Sequence, residues 1–368
     1  KLLWGFLVGG FSHMKAKAIF ADTGDSRVIA VSDIHGNLPL LKKLLKKCGY
    51  QPGQDALVIV GDFIEKGPDC LGTLRYLMEL AKEEKVYVLS GNCDSFLWTA
   101  SAEQMWEYTN YWQERELLWQ MGTEAGISIP AKPADMEAFR QRLKELYPEE
   151  YRFLQNRPQI LETQSFFFAH AGLQGEDLED QDLEYVLSVP WFPRGTEHRF
   201  SKLLVVGHYP TANYRNECIN SSPYFHSGQN VLTIDGGNMI KTFGQLNGVV
   251  LDSTTGTWQW RSVREGDVFE VPHSQEEKPA QAVVIWPNNR IEKIERREYG
   301  FLCREVESGA CLVIPEEFLY DWNGELHTDD MTDKLLAVAE GERVTVLRRY
   351  DDRLLIAKED GEVGWFFL

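Results

Sequence analysis

Five short segments of the sequence carry carboxylate, imidazole or amide side chains beside a glycine. Asp33 and His35 stand two residues apart, which places both on the same side of an extended chain. By itself this pair could equally be a plain hydrogen-bonded couple. The five segments are SDIHG (32–36), GDFIEKG (61–67), GNCD (91–94), HAG (170–172) and GHYP (207–210).

Taken together, these segments supply the donor types that divalent cations bind in proteins. A carboxylate can bridge two cations, while imidazole nitrogens and an amide oxygen fill the remaining coordination positions. We therefore predict that the five segments meet at a metal site.

The elements around these segments must bring them together. Apolar, β-branched runs at 27–32, 56–60 and 86–89 predict buried strands, and helical periodicity predicts helices over 38–48 and 68–81. This alternation predicts an α/β fold with a parallel sheet. Because ligands bind beyond the carboxyl ends of parallel strands, the segments that follow the strands should aim at one place.

The sequence after the third predicted strand has a helical part followed by a strand-like part. Residues 95–158 are helix-like and rich in tryptophan, which predicts a helical insertion. The hydrophobic alternation that follows indicates a second, partly antiparallel set of strands. These strands are predicted at 159–163, 166–169, 203–206, 231–234 and 245–251.

Composition limits the classes of partner. The chain has 368 residues and a net charge of −18, without a cluster of lysine and arginine. The length suits one large catalytic domain and something smaller. The negative field repels phosphate backbones, so we predict no nucleic-acid partner. Six cysteines without a CxxC pair argue against a zinc ribbon or a disulfide scaffold and favour the cytoplasm.

The first residues have a different character. Residues 1–13 begin with an apolar run that is shorter than the roughly 20 residues a membrane helix needs. Ser12 and His13 before Met14 read like a cloning junction, so we predict that 1–13 are a tag or another non-native segment. No other segment has the length and apolarity of a membrane helix, and no membrane partner is predicted.

The ordered segments resemble the motifs of the calcineurin-like metallophosphoesterase superfamily. Over about 27–252 the resemblance is to its serine/threonine protein phosphatase and diadenosine tetraphosphatase branch, including IDGG at 234–237 and Pro210 where many phosphodiesterases have a histidine. It implies a layered β-sandwich flanked by helices. It also implies a ligand set: Asp33 and His35 for one metal, Asp62 bridging both, and Asn92, His170 and His208 for the second.

The resemblance implies a two-metal hydrolase. Its substrate would be a phosphoprotein monoester or a nucleotide polyphosphate, attacked by a hydroxide that bridges two ions of manganese, iron or zinc. Lys66 and Arg194 are the predicted phosphate contacts, and Asp94 is predicted to orient a ligand. The alternatives are a phosphodiesterase of the same superfamily and a non-catalytic protein that binds phosphorylated partners.

Two positions depart from the pattern of that branch. Cys93 replaces the histidine that follows the asparagine ligand and acts as an acid, and Glu65 stands where its supporting aspartate would be. A thiol is the poorer acid near neutral pH, with an unperturbed pKa of about 8.5 against about 6.5 for imidazole. Either His198 or His226 donates the proton, or the substrate has a good leaving group. Cys93 could also be a small packing residue. The candidate catalytic set is Asp62, Asn92, Cys93 and Asp94.

The C-terminal part carries no evident chemistry. We predict a metallophosphoesterase domain over 14–262, a linking β-segment over 263–300 and a small all-β module over 301–368, whose end resembles an SH3-like barrel. Within this module only 330–339 has a helical pattern. A peptide or protein partner, or dimerisation, is the predicted use of the module.

Overall fold

A computed structural model describes residues 14–368, apart from the side chain of Trp98. The predicted tag at 1–13 lies outside these residues. None of the helices in the described part combines the length and apolarity needed to cross a membrane. The described chain forms two compact units, the first from 14–209, 223–239 and 246–263 and the second from 210–222, 240–245 and 264–368.

The described residues of the first unit contain nine α-helices. They are α1 (Leu38–Cys48), α2 (Cys70–Leu80), α3 (Asn92–Thr99), α4 (Ala102–Trp112), α5 (Leu117–Ala125), α6 (Met136–Leu146), α7 (Pro148–Gln155), α8 (Leu183–Ser188) and α9 (Phe192–Gly195).

Strands occur in both units. They are β1 (Ala18–Phe20), β2 (Arg27–Val31), β3 (Ala56–Val60), β4 (Val86–Leu89), β5 (Ile160–Glu162), β6 (Phe166–Ala169), β7 (Leu203–Val206), β8 (Ile219–Asn220), β9 (Tyr224–His226), β10 (Val231–Thr233), β11 (Leu246–Asp252) and β12 (Trp258–Val263). The chain continues with β13 (Asp267–Glu270), β14 (Val283–Val284), β15 (Ile291–Arg296), β16 (Gly300–Glu305), β17 (Cys311–Pro315), β18 (Leu319–Trp322), β19 (Glu325–Thr328), β20 (Met331–Thr332), β21 (Arg343–Arg349), β22 (Arg353–Ala357) and β23 (Glu362–Phe367).

The first unit is a β-sandwich flanked by helices, which confirms the predicted fold class. One sheet has the order β12-β11-β2-β3-β4 and the other the order β1-β5-β6-β7-β10-β9. Strands β2, β3 and β4 are parallel, as are β6, β7 and β10, so the carboxyl ends within each set lie along one edge. Alternate side chains of both sheets share one apolar core, and the opposite faces pack against helices.

Helix α1 shows how local sequence sets an element of the outer layer. The Asn37 side chain accepts a hydrogen bond from the Leu40 N–H at 3.3 Å and caps the N-terminus, and Gly49 ends the helix in the left-handed conformation. Its buried leucines face the β2–β3 sheet, and each fully buried one contributes about 1.5–3 kcal/mol.

The helical insertion is present. Helices α3 to α7 cover most of the predicted stretch 95–158 and pack into the same core as α1 and α2. Apolar side chains of the insertion, among them Met105, Leu118 and Phe139, are buried there, which explains why the stretch shows helical periodicity.

The second unit is all-β. Its main sheet has the order β13-β21-β22-β23-β8, and smaller sheets are formed by β15-β16-β17, β14-β20 and β18-β19. Strand β15 precedes residue 300 and pairs with β16, which begins at Gly300, so the segment 263–300 contributes strands to the same unit as 301–368. Resemblance of this unit to an SH3-like barrel stays a prediction.

The helix predicted over 330–339 is wrong. The segment contains β20 and continues as an extended chain whose hydrogen bonds go to distant residues. The Leu335 N–H donates to the Lys278 carbonyl at 3.0 Å, and the Leu336 N–H donates to the Trp365 carbonyl at 3.1 Å. Leu336 is buried in the core of the unit. Pairing with remote strands therefore outweighs the local pattern.

Two buried carboxyl groups join the insertion to the loop after β3. Glu65 accepts a hydrogen bond from the Leu117 N–H at 3.3 Å, and Glu116 accepts one from the Trp119 N–H at 2.8 Å, so both meet the N-terminus of α5. Neither side chain is exposed. Burial, together with the neighbouring Glu116, raises the pKa of Glu65 well above its usual value, and burial raises the pKa of Glu116 to about 7.

The raised pKa of Glu116 predicts a pH-dependent stability. Its pKa of about 7 in the folded protein exceeds the value of about 4.3 in the unfolded chain, so folding takes up a proton between these values. Stability from this group is therefore lost as pH rises from about 4.3 through 7. We therefore compare the free energy of unfolding of Glu116→Gln with that of wild type, both treated with a chelator and unfolded in urea. The difference should move in favour of Glu116→Gln as the pH rises from 5 to 7.5.

Glu107→Gln on α4 is the control, because Glu107 is exposed and its substitution should leave the pH dependence of wild type unchanged. A constant difference between Glu116→Gln and wild type over this pH range would contradict the prediction.

Gly67 lies where the loop after β3 passes the loop after β2. A Cβ atom at Gly67 would stand 1.6 Å from the His35 carbonyl oxygen, so one of the two loops would have to move. We expect Gly67→Ala to destabilise the protein by about 1–3 kcal/mol, measured by urea unfolding. Gly175→Ala is the control, because a Cβ there meets no atom within 4 Å. Equal stability of the two variants would show that the loops are not in close contact.

Candidate metal centre

The predicted ligands all lie in the first unit, at the carboxyl ends of its strands. Their side chains are buried, apart from that of His208, which is partly exposed. Asp33 and His35 follow β2, Asp62 follows β3, Asn92 opens α3 after β4, His170 follows β6 and His208 follows β7.

The backbone at these ligands is unusual for residues with a side chain. Four of them have positive φ angles: 53° at Asp33, 48° at His35, 51° at Asp62 and 69° at His208. This conformation is uncommon outside glycine, and residues held in it cluster at functional sites. The sharp turn after each strand directs the side chain into the space between the strand ends.

The hydrogen bonds of His170 fix which of its nitrogens faces the site. Its Nδ1 lies 2.9 Å from the Val60 carbonyl oxygen, which can only accept, so Nδ1 carries the proton in the neutral ring. Nε2 therefore presents a lone pair. It points at other acceptors, with Asn92 Oδ1 at 3.0 Å and Asp62 Oδ1 at 3.4 Å.

Asn92 Oδ1 lies close to a second imidazole as well. It lies 2.9 Å from His208 Nδ1 as well as 3.0 Å from His170 Nε2. The reverse amide orientation would place N–H groups against the same nitrogens and would satisfy them without a cation. As a metal ligand, Asn92 would turn its oxygen toward the space that His170 Nε2 and the Asp62 carboxylate share.

His35 and Asp33 form a similar arrangement on the other side of Asp62. His35 Nδ1 lies 3.3 Å from the Ile64 carbonyl oxygen, which leaves Nε2 as the acceptor. His35 Nε2 and Asp33 Oδ1 are 3.9 Å apart, and both are buried without a hydrogen-bond partner among the described residues. Buried acceptors without a partner are costly, and a cation between them would remove that cost.

Asp62 belongs to two groups of potential ligands. Ligand atoms of Asp33, Asp62 and His170 lie within 4.8 Å of one another, and so do those of His35, Asp62 and Cys93. The donor types and the unpartnered atoms fit divalent cations, and a carboxylate shared by both groups suits a bridging ligand.

Electrostatics keep the imidazoles neutral at physiological pH. Burial lowers the pKa of His35 to about 3 with a contribution from Lys66, and burial with His170 lowers the pKa of His208 to about 3. Burial also lowers the pKa of His170. Since only neutral imidazole binds a metal, these groups lose no proton when a cation arrives.

For the carboxylates, burial disfavours the ionised form, which is the form that binds a metal. Burial raises the pKa of Asp33 well above its usual value, and the charges of Asp235 and Asp62 add to the effect. Burial also disfavours the charged form of Asp62, but His170, Lys66 and His35 outweigh burial and lower its pKa. Several carboxylates in one buried place need compensating positive charge, which metal ions would provide.

Asp94 holds the loop after β3 through its backbone. Its carboxylate accepts hydrogen bonds from the N–H groups of Asp62 at 2.7 Å, Phe63 at 3.0 Å and Gly91 at 2.8 Å. The Nδ1 atoms of His35 and His170 face backbone carbonyls instead. Asp94 therefore positions Asp62 rather than an imidazole.

Cys93 and Lys66 lie beside Asp62. The Cys93 N–H donates to Asp62 Oδ1 at 2.8 Å, and burial followed by the Asp62 charge raises the pKa of its thiol. Lys66 is 7% exposed; burial opposes its charge, but Cys93 and Asp62 raise the pKa of its ammonium. The site therefore contains one buried positive charge of its own.

The other predicted residues have different surroundings. Arg194 is exposed, with its guanidinium 5.2 Å from the centre of the Trp191 ring. Trp191 packs in turn on Tyr209, next to His208, at 4.5 Å between ring centres. His198 is exposed and contacts Glu176 and the Phe200 ring. His226 lies on β9, and its ring meets that of Tyr224.

Two residues near Asp33 were not among the predicted site residues. Asp235 follows β10 and is buried, and its charge raises the pKa of Asp33. Asn238 donates a hydrogen bond from Nδ2 to the Ile34 carbonyl at 2.7 Å and so holds the turn between Asp33 and His35. The available signal was the same as for the ligands, a polar segment (IDGG, 234–237) directly after a strand.

Known proteins match parts of this chain. Serine/threonine-protein phosphatase 1 of Salmonella typhimurium is 52% identical over 52 residues, which is 14% of this chain and 24% of that protein. The symmetrical bis(5'-nucleosyl)-tetraphosphatase of Pseudomonas fluorescens is 46% identical over 72 residues, which is 20% of this chain and 25% of that protein. The chain thus matches about a quarter of the length of these relatives.

Solved structures and a family model align with a larger share of the chain than these relatives do. The cold-active protein-tyrosine phosphatase of a Shewanella species aligns with a TM-score of 0.39 and 15% identity, covering 66% of this chain and 82% of that one. The family model for calcineurin-like phosphoesterases matches residues 26–251, more than half of the chain and the whole stretch that contains the predicted ligands. The chain therefore belongs to the calcineurin-like phosphoesterase family.

Proposed function

We propose that this protein hydrolyses phosphoesters with two divalent metal ions. The observation that carries the proposal is the convergence of Asn92 Oδ1, His170 Nε2 and His208 Nδ1 with the shared carboxylate of Asp62. Asn92 Oδ1, His170 Nε2 and Asp62 Oδ1 present lone pairs to one another, and divalent cations between them would stabilise this arrangement. The residues that would hold them are Asp33, His35, Asp62, Asn92, His170 and His208.

Bound divalent cations at such a site supply Lewis-acid polarisation of a phosphoryl oxygen and activation of water. The chain's own groups prepare the site for this chemistry. Asp94 fixes the backbone of Asp62, and the Val60 and Ile64 carbonyls fix the rings of His170 and His35. Lys66 places a buried positive charge where it offsets negative charge on a phosphate.

The relatives' names and the positive charges near the site support a proposed substrate class. The relatives are named as a protein phosphatase and a nucleotide tetraphosphatase, and we propose a phosphoprotein monoester or a nucleotide polyphosphate for this chain. Arg194, exposed on the Trp191 ring beside Tyr209 and His208, is the proposed second phosphate contact. Manganese, iron and zinc all suit the mixed oxygen and nitrogen ligands.

A phosphodiesterase is the second candidate, and Cys93 favours it. Its thiol is buried with a raised pKa, so it is a poor proton donor for an alkoxide leaving group. A diester or polyphosphate with a stable leaving group needs no strong acid. The same geometry therefore accommodates either substrate.

The test is hydrolysis of p-nitrophenyl phosphate and of its bis ester by metal-stripped protein with manganese restored. We expect turnover that depends on manganese and falls on the order of 100-fold or more in Asp62→Asn, because the shared ligand is weakened. Asp180→Asn, an exposed carboxylate paired with Lys15, should retain activity. The preferred ester distinguishes monoesterase from diesterase.

Absence of turnover with both esters, in protein that binds manganese, would overturn the proposed hydrolase. It would favour a protein that binds phosphorylated partners without catalysis. Turnover that survives Asp62→Asn would show that the reaction occurs away from this site.

A further inference from the structure

Cys93 lies inside the group of potential ligands rather than beside it. Its Sγ atom, a carboxylate oxygen of Asp62 and a ring nitrogen of His35 are all within 4.8 Å of one another. All three side chains are buried, and Cys93 is 0% exposed. The sulfur also accepts a hydrogen bond from Asn92 Nδ2 at 3.5 Å, so it lies among the polar atoms of the site and not in the apolar core.

The other two members of this group are directed at the same place. His35 Nδ1 is occupied by the Ile64 carbonyl, which leaves the buried Nε2 without a partner among the described residues. The Cys93 N–H holds Asp62 Oδ1 at 2.8 Å, so the cysteine is fixed to the carboxylate that both groups share. Nitrogen, oxygen and sulfur donors thus surround one position.

We propose that Cys93 is a thiolate ligand of the metal ion bound by His35 and Asp62. This inference rests on the proposed two-metal function and deepens it by assigning the metal preference of one position. Thiolate is a soft ligand that favours zinc over manganese, whereas carboxylate and imidazole alone discriminate less. Binding releases the thiol proton to solvent, and sulfur donates an electron pair to the metal without a change in oxidation state.

The charge of Lys66 is compatible with this arrangement. Its buried ammonium interacts with both Cys93 and Asp62. The group therefore contains one cation of the protein and two potential anions before a metal binds. A divalent ion completes the charge balance.

The test is the near-ultraviolet absorption of the cobalt-loaded protein, where a cobalt–thiolate bond gives a sulfur-to-cobalt charge-transfer band. We expect the band in wild type and its loss in Cys93→Ser. Cys70→Ser is the matched control, because Cys70 is a buried thiol of the same unit that donates to the Gly67 and Arg115 carbonyls instead. It should keep the band. Zinc affinity should fall at least about tenfold in Cys93→Ser, with a smaller change for manganese.

A second measurement uses wild type alone and does not depend on how the variants fold. Zinc K-edge X-ray absorption of the zinc-loaded protein should require a sulfur neighbour at about 2.3 Å. A shell of only oxygen and nitrogen, or a cobalt band that persists in Cys93→Ser, would overturn the inference. Hydrolysis by manganese-loaded wild type is measured in parallel. If the protein hydrolyses the esters but zinc has no sulfur neighbour, the role of Cys93 is wrong while the proposed function stands.

Discussion

The first unit buries several carboxylates and imidazoles in one place, and the electrostatic cost of this burial is the constraint on which its structure depends. Asp33, Asp62 and Asp235 bring carboxylates to the strand ends, and the imidazoles beside them are neutral. Lys66 supplies one positive charge to this cluster, and the proposed metal ions would supply the rest. The backbone hydrogen bonds, left-handed turns and close glycine contacts around the cluster all maintain this otherwise unfavourable arrangement.

The sandwich provides the rigid support for this cluster. Parallel strands in each sheet end along one edge, so residues far apart in sequence, such as Asp33 and His208, become neighbours; the His208 N–H donates to Asp33 Oδ2 at 3.0 Å. The apolar core between the sheets fixes the separation of the two edges. Insertion helices add a further support, because Glu65 ties the loop after Asp62 to the N-terminus of α5.

The sequence was informative wherever local pattern and tertiary structure agree. Buried strands such as Ala56–Val60 and the helix Leu38–Cys48 were predicted to the residue, because their apolar periodicity reflects the faces they bury. The convergence of the predicted ligands followed from the pattern as well, because each of them comes directly after a strand. The extended segment 330–339 was not predicted, because remote strands satisfy its hydrogen bonds.

Other features depend on contacts that no local pattern reveals. Glu116 looks like an ordinary surface residue in sequence, yet the fold buries it beside Glu65 at a helix N-terminus. Segments 210–222 and 240–245 lie within the predicted catalytic stretch but group with the second unit, which only three-dimensional contacts show. For Cys93, the sequence left two roles open, as an acid or as a packing residue. The position of its sulfur near His35 and Asp62 led to the third role, that of a metal ligand.

Two metal ions are proposed to share the carboxylate of Asp62. Diffraction from crystals of the manganese-loaded protein, recorded at the manganese absorption edge, tests it most directly. We expect two anomalous peaks in contact with Asp62, one on the side of Asp33 and His35 and the other on the side of Asn92 and His170. A single peak, or peaks that do not contact Asp62, would contradict it.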